Sequence, residues 1–251
     1  MPLVYSNLFS NGIIGQHFLN NMTDKTAIAL MIIGAVIVAI CSYILGSINF
    51  AIIVSGKRFK EDIRSHGSKN AGMTNMLRTY GKRAAGLTLA GDALKGILSC
   101  ILGYIILGPL GARIAGLFCM LGHVFPVFYG FKGGKGVVTA FATILVCDTP
   151  VFLVLILIFV IIVAFTKYLS LGSIMCMALY PVLLDRMVKL LQSRIVTFPE
   201  IIISMLLAVV VIIKHWENIT RLLKGQENKF SFKKRPKATE NTIEDTKNDN
   251  E

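Results

Sequence analysis

The amino-acid sequence predicts an all-α, polytopic integral membrane protein of about seven transmembrane helices, with the N-terminus outside and the C-terminus cytoplasmic. Three observations predict it. Of 251 residues 54% are hydrophobic and only 16% charged, with mean hydropathy +0.67, which leaves little material for a soluble surface. The apolar runs 26–56 and 86–108 exceed the ~20 residues that a helix needs to cross a ~30 Å hydrocarbon core, and shorter apolar runs follow them. Lysine and arginine gather in the polar stretch 57–83, as the positive-inside rule requires of a cytoplasmic loop. The formal charge of +12 and pI of about 9.6 follow from that bias and do not indicate nucleic acid. The five cysteines lie within or beside apolar runs, with neither CxxC nor Cys/His spacing, so they read as reduced packing residues, with no metal expected.

In chain order, residues 1–25 lack both a basic leader and a small-residue cleavage site, and read as an external tail rather than a cleavable signal. Residues 26–56 make the first span. Its end carries Ser47 and Asn49, polar groups that within lipid must face protein or a watery cavity. Ser47 either bonds its own backbone or serves a site. The basic stretch 57–83 holds DIRSHGSKNAGMTN, too polar for a span and too varied for a linker, so an ordered loop is expected. Residues 86–108 form the second span, where Asp92 and Lys95, three apart on one face, read as a mutually neutralising pair. The third span is 112–129, with His123 and Pro126 near its cytoplasmic end; 137–146 is a short fourth helix, 151–165 the fifth, 169–184 the sixth, opening with SLGS, and 201–213 the seventh. This topology leaves Arg186, Lys189 and Arg194 outside, against the positive-inside trend.

Between the third and fourth helices runs GHVFPVFYGFKGGKGVVT, residues 122–139. Gly133, Gly134 and Gly136 let backbone N–H groups approach an oxyanion, Lys132 and Lys135 add positive charge, and the following helix would aim its N-terminus at the same point. A nucleotide P-loop is excluded, because Gly136 follows Lys135 where Ser or Thr is needed and Tyr129 holds the leading glycine position. Two readings stay open on these residues alone: a phosphate cradle, or a cytoplasmic turn whose lysines fix topology. Past the last span, KHWENITRLLKGQENK puts His215 and Asn218 three apart on one helical face, while Trp216 suits a membrane interface. Residues 230–251 turn basic and then acidic and read as a disordered cytoplasmic tail.

Taken together, GSIN, DIR, GSKNAGMTN, DALKG, the glycine stretch, SLGS and KHWEN with LLKGQE resemble the bacterial membrane acyl-phosphate:glycerol-3-phosphate acyltransferases of the PlsY type, over about residues 43–229. The resemblance implies one transmembrane acyltransferase domain over 26–229, in the bacterial cell membrane, with its active site facing the cytoplasm. Carried over motif by motif, it implies catalytic roles for Ser47, Arg64, His215 and Asn218. It also implies acyl phosphate on Lys132, Gly133, Gly134, Lys135 and Gly136, glycerol 3-phosphate on Arg64, Asn70, Asn75, Ser170 and His215, and a structural Glu227. No cofactor is implied, and the partners are the two phosphorylated substrates and membrane lipid. Asn49 stands where the family usually has proline, Lys69 and Met73 where it prefers glycine and alanine, and Trp216 where it prefers arginine.

The implied chemistry suits these residue types. An acyl phosphate is an activated mixed anhydride whose leaving phosphate needs little protonation, so a site must chiefly hold two phosphorylated molecules, align them and stabilise an oxyanion. His215 or a substrate phosphate oxygen would take the hydroxyl proton. A carrier for a phosphorylated metabolite is the rival class, although no inverted repeat is visible. A thioester-dependent acyltransferase with HxxxxD is not supported, since none of the four histidines has aspartate at that offset.

Overall fold

The computed structural model describes residues 12–14 and 25–230; the expected external and disordered tails therefore lie, but for a few residues, outside the described part of the chain. Ten α-helices follow in order: α1 (Lys25–Gly46), α2 (Phe50–Phe59), α3 (Met73–Tyr80), α4 (Lys82–Leu107), α5 (Pro109–Val124), α6 (Val137–Cys147), α7 (Thr149–Thr166), α8 (Leu169–Gln192), α9 (Phe198–Lys214) and α10 (Trp216–Leu223). Short 3₁₀ turns at Ile63–Ser65 and Val127–Tyr129 complete the secondary structure of residues 25–230.

Four stretches are long and apolar enough to cross a membrane, Lys25–Phe59, Lys82–Leu107, Pro109–Tyr129 and Thr149–Thr166, and a fifth if α9 and α10, bent by 59°, count as one. The difference from the expected seven lies in α6 and α8. With 11 residues, α6 is about 16 Å long, half a bilayer core. α8 is long enough at 24 residues but carries Asp185, Arg186 and Lys189 in its second half. The expected sixth span ends at 184, yet the helix continues to Gln192 because Lys189 pairs with Asp185 one turn back. Arg194, expected on the outside against the positive-inside trend, is held by both carboxylate oxygens of Glu200.

Two further boundaries differ from expectation. The first span is broken at residues 47–49, and Asn49 caps α2 by accepting from the Ile52 N–H at 3.2 Å. The third helix ends at Val124 rather than running to 129, because Pro126 follows and cannot continue it. Within the basic loop the chain forms α3, whose Asn75, Met76 and Leu77 are buried.

α5 is the central strut. Of the candidate spans it is the most enclosed, 67% of its apolar stretch being buried against 11% for α7, and it packs on α1, α4, α6 and α9. One core joins Met120 and Val124 of α5 to Ile144 of α6, Leu155 of α7, Met177 of α8 and Leu207 of α9. On the outer faces Ile32, Val36 and Ile40 of α1 and Leu153, Leu157 and Val160 of α7 are exposed, an apolar belt that only lipid would cover favourably. All five cysteines are free.

Candidate active site

At the break between α1 and α2 two carbonyls lose their helical partners, and Lys95 of α4 meets them: its Nζ donates to Gly46 O at 2.9 Å and Ile48 O at 2.6 Å. Lys95 and Asp92 are both 2% exposed and 2.9 Å apart, the pair expected from sequence, but His123 of α5 joins them with Nδ1 3.1 Å from Lys95 Nζ. Ser47 is fully buried in the same break. Its hydroxyl donates to Tyr43 O at 2.9 Å and accepts from Val127 N at 3.4 Å.

The loop between α2 and α3 is organised by Asn75, 1% exposed, whose amide donates to the carbonyls of Ile63, His66 and Asn70 and accepts from Ser68 N. Asn49 reaches Ala71 O at 3.3 Å, a bond that proline could not make. Arg64 divides its guanidinium. Nε and Nη2 bind Asp62, while Nη1 donates to Tyr129 O at 2.7 Å and Lys132 O at 3.2 Å, so the arginine clamps the glycine stretch by its backbone. Donation from Arg64 holds the Asp62 carboxyl below its ordinary value.

The glycine stretch folds back onto the end of α5, with Gly134 N donating to His123 O at 3.1 Å. A Cβ on Gly133 would fall 2.0 Å from His123 O, and one on Gly134 2.1 Å from His123 Nε2, so both positions exclude side chains. These glycines therefore serve close packing against His123 as well as backbone access. Gly136, at φ +78°, turns the chain into α6, whose first residues line a cavity with unpaired N–H groups of the first turn.

That cavity has a volume of about 450 Å³ and two unlike ends. At the polar end Asn70, Arg78, Lys135, Ser170, His215, Asn218, Arg221 and Glu227 converge. Most of the apolar lining comes from Leu89, Ala93 and Ile97 of α4, Phe152, Ile156 and Phe159 of α7, and Val138, Phe141, Ala142 and Leu145 of α6, with Asp92 and His123 also on the wall.

The polar end is a connected network. Lys135 donates to Asn218 Oδ1, and Asn218 Nδ2 donates to Glu227 Oε1 at 2.8 Å. Ser170 donates to the same oxygen at 3.0 Å and Arg221 Nε to the other at 2.9 Å. Burial lowers the Lys135 pKa to about 8, with Arg221 adding repulsion and Glu227 opposing it. Burial alone would raise the Glu227 pKa; donation from Asn218, Arg221 and Ser170 outweighs it and keeps the carboxylate ionised. His215, 3% exposed, lies 2.8 Å from Val211 O through Nδ1; a carbonyl only accepts, so Nδ1 carries the proton and Nε2 keeps its lone pair.

Of the residues singled out in the sequence, Asn70, Asn75, Lys135, Gly136, Ser170, His215, Asn218 and Glu227 line this cavity, whereas Ser47, Arg64, Lys132, Gly133 and Gly134 do not. Trp216 is 70% exposed and lies outside it, so the missing family arginine leaves the cavity's own Arg78, Lys135 and Arg221 in place. Arg78 and His123 were not assigned from sequence. The signals were present: Arg78 follows Asn75 by three on α3, and His123 opens the glycine motif.

Residues 36–225 match the family model described as Glycerol-3-phosphate acyltransferase. The chain is 40% identical over 198 residues to the glycerol-3-phosphate acyltransferase of Finegoldia magna, covering 78% of this chain and 96% of that protein. It is 37% identical over 210 residues to that of Clostridioides difficile, covering 79% and 97%. Among solved structures it superposes on the glycerol 3-phosphate form of PlsY (YgiH), an integral membrane glycerol 3-phosphate acyltransferase, with TM-score 0.70, 33% identity and coverage of 78% and 96%. The lysophosphatidic acid form of PlsY matches with TM-score 0.68 and 32% identity over 79% of this chain and 96% of that one. The expected all-α, integral membrane architecture holds, and the chain belongs to the glycerol-3-phosphate acyltransferase family of PlsY type.

Proposed function

We propose that this protein transfers a fatty acyl group from acyl phosphate to the 1-hydroxyl of sn-glycerol 3-phosphate, releasing lysophosphatidate and inorganic phosphate. The observation that carries it is the two-ended cavity: cationic and hydrogen-bonding groups at one end, an apolar slot at the other. An acyl phosphate needs both. Its phosphate would lie at Lys135, Gly136 and the N-terminus of α6, with Lys132, Gly133 and Gly134 shaping the backbone, and its chain along α4, α6 and α7. Glycerol 3-phosphate would take the Asn70, Ser170 and His215 side, near Arg78 and Arg221. Arg64 and Asn75 would act by fixing the two loops that meet there.

In the reaction, the glycerol oxygen forms a bond to the acyl carbon, and the bond from that carbon to the phosphate oxygen breaks, its electron pair leaving with phosphate. The hydroxyl proton passes to His215 Nε2, which has the free lone pair, or to the departing phosphate. Asn218, polarised between Lys135 and Glu227, orients the charged groups. Lys135 and the amide N–H groups of α6 offset the charge developing on the carbonyl oxygen. Ser47 does not line the cavity, and its hydroxyl is engaged by Tyr43 and Val127, which favours direct transfer within a ternary complex over an acyl-serine.

The chain from 26 to 229 would form one transmembrane catalytic domain, N-terminus outside and C-terminus inside, with the site at the cytoplasmic face of a bacterial cell membrane. The basic loop 57–83, which contributes Asn70, Asn75 and Arg78 to the site, supports that orientation. The test is purified protein in detergent or lipid, with glycerol 3-phosphate and either acyl phosphate or acyl thioester. Lysophosphatidate from acyl phosphate alone is expected; product from thioester alone overturns the donor, and product from neither favours a carrier.

A further inference from the structure

The structure points to a role for His123 that the sequence motifs do not assign. We infer that Lys95 holds the His123 ring in its Nε2-protonated tautomer, and that this N–H is a hydrogen-bond donor to a phosphoryl oxygen bound beside Gly134. The inference rests on the reading that a phosphate binds at the glycine stretch, and it adds a residue and a protonation state to it.

Lys95 lies between the α1–α2 break and the His123 ring. Its ammonium has three hydrogens and no lone pair, and three acceptors stand in hydrogen-bonding geometry: Gly46 O at 2.9 Å, Ile48 O at 2.6 Å and His123 Nδ1 at 3.1 Å. A ring nitrogen facing an ammonium must accept. His123 is therefore neutral, with its one proton on Nε2. Asp92 Oδ1 forms an ion pair with Lys95 Nζ at 2.9 Å and lies 3.4 Å from His123 Nδ1. Its part is to balance the lysine charge, which frees the ring from carrying any.

Nε2 then faces the other way. It lies against Gly134, where an added Cβ would fall 2.1 Å from it, and the ring lines the cavity while being only 4% exposed. Among the described residues no hydrogen bond engages Nε2. Nε2 opens on the cavity, so a phosphate oxygen held at the loop would take the place of solvent as its acceptor. The two cavity histidines thus hold opposite tautomers: His215, donating from Nδ1 to Val211 O, offers a lone pair, and His123 offers a hydrogen. One suits proton acceptance, the other anion binding.

The test uses the full chain in detergent, labelled with ¹⁵N-histidine and with backbone ¹⁵N, titrated with inorganic phosphate. His123→Asn identifies the His123 signals and also keeps an acceptor near Nδ1 for Lys95 while removing the Nε2 donor. The expected result is the Nε2–H pattern for His123 and movement of Nε2 on adding phosphate. A proton on Nδ1, a charged ring, or an unmoved Nε2 while the Gly134 and Lys135 amides respond would overturn this inference alone. Silence of the histidine and of both amides would overturn the phosphate reading beneath it. In turnover, His123→Asn should lose roughly 10- to 100-fold in kcat/KM for acyl phosphate, and His123→Gln, with an amide N–H near the Nε2 place, should recover part of it. Unchanged kinetics in His123→Asn would equally overturn the assignment.

Discussion

Arg113 and His123 stand near opposite ends of α5, roughly 15 Å apart along its axis, and the polar clusters around them use similar residue types to different ends. Around Arg113 the groups close on one another. Its Nη2 lies 2.7 Å from Asp148 and 3.1 Å from Glu200, Tyr180 donates to Asp148 at 2.8 Å, and Arg194 and Thr197 complete Glu200. Only Arg113 Nε is left over, and none of these residues lines the cavity. Around His123 and His215 the same kinds of group leave a lone pair, an N–H and a lysine of lowered pKa facing an open volume. The lesson is that burial of charge marks a site only where bonding capacity remains unused. The Arg113 cluster ties α5, α8 and α9 to the α6–α7 junction; the other cluster is equipped to bind.

That contrast makes separable expectations. His215→Asn, whose side-chain amide keeps a donor for Val211 O, should lower kcat/KM by roughly 100- to 10,000-fold, the range for a lost general base, with only a small loss of stability. Glu200→Ala should do the reverse: it leaves Arg113 and Arg194 short of a partner and should cost about 3–5 kcal/mol of stability, with the kinetic constants of the surviving folded protein unaltered. Thermal unfolding and steady-state kinetics on both variants check the pair. Exchanged phenotypes would break the comparison.

Gly134→Ala sharpens it. The methyl group would meet His123 Nε2 rather than open space, and overpacking of about 1–3 kcal/mol corresponds to a rise of roughly 5- to 100-fold in KM for acyl phosphate. KM for glycerol 3-phosphate should change much less; equal changes would detach the glycine stretch from the donor.

A smaller effect is expected from pH. Lys135 has a folded pKa of about 8 against an ordinary 10.5, so above pH 8 it loses the charge that binds phosphate, and KM for acyl phosphate should rise there. Stability moves the other way: between pH 8 and 10.5 the folded state binds fewer protons than the unfolded one, so stability contributed by this group increases. Lys135→Arg should abolish the KM trend in that window, and its persistence would assign it elsewhere. Smallest of all, Ala93→Phe should narrow the slot and shift preference toward shorter acyl chains, measured by competition between donors of different length.

Much of this arrangement was legible in the sequence, because apolar run length and charge bias are strong signals in a membrane protein. The spans α4, α5 and α7 and the glycine stretch lie where those signals put them, within a few residues. The break at Ser47–Asn49 was not legible, since an unbroken apolar run hides carbonyls that a distant Lys95 satisfies. The motifs imply site roles for Ser47 and Arg64; neither lines the cavity, and both bond loop backbone, a contact that no motif spells out. The Asp92 and Lys95 pair could be read from spacing, but not the third member, His123, which only the packing of α5 against α4 brings there.

The central claim, that the open cluster transfers the acyl group directly while Ser47 stays structural, meets its most direct test in the half-reaction. The protein is mixed with isotopically labelled acyl phosphate, without glycerol 3-phosphate, and its intact and peptide masses are followed from milliseconds to minutes. No acyl group should appear on the chain at any time, and turnover should begin only when glycerol 3-phosphate is added. An acyl-serine at position 47 that forms quickly and is discharged by glycerol 3-phosphate would contradict it.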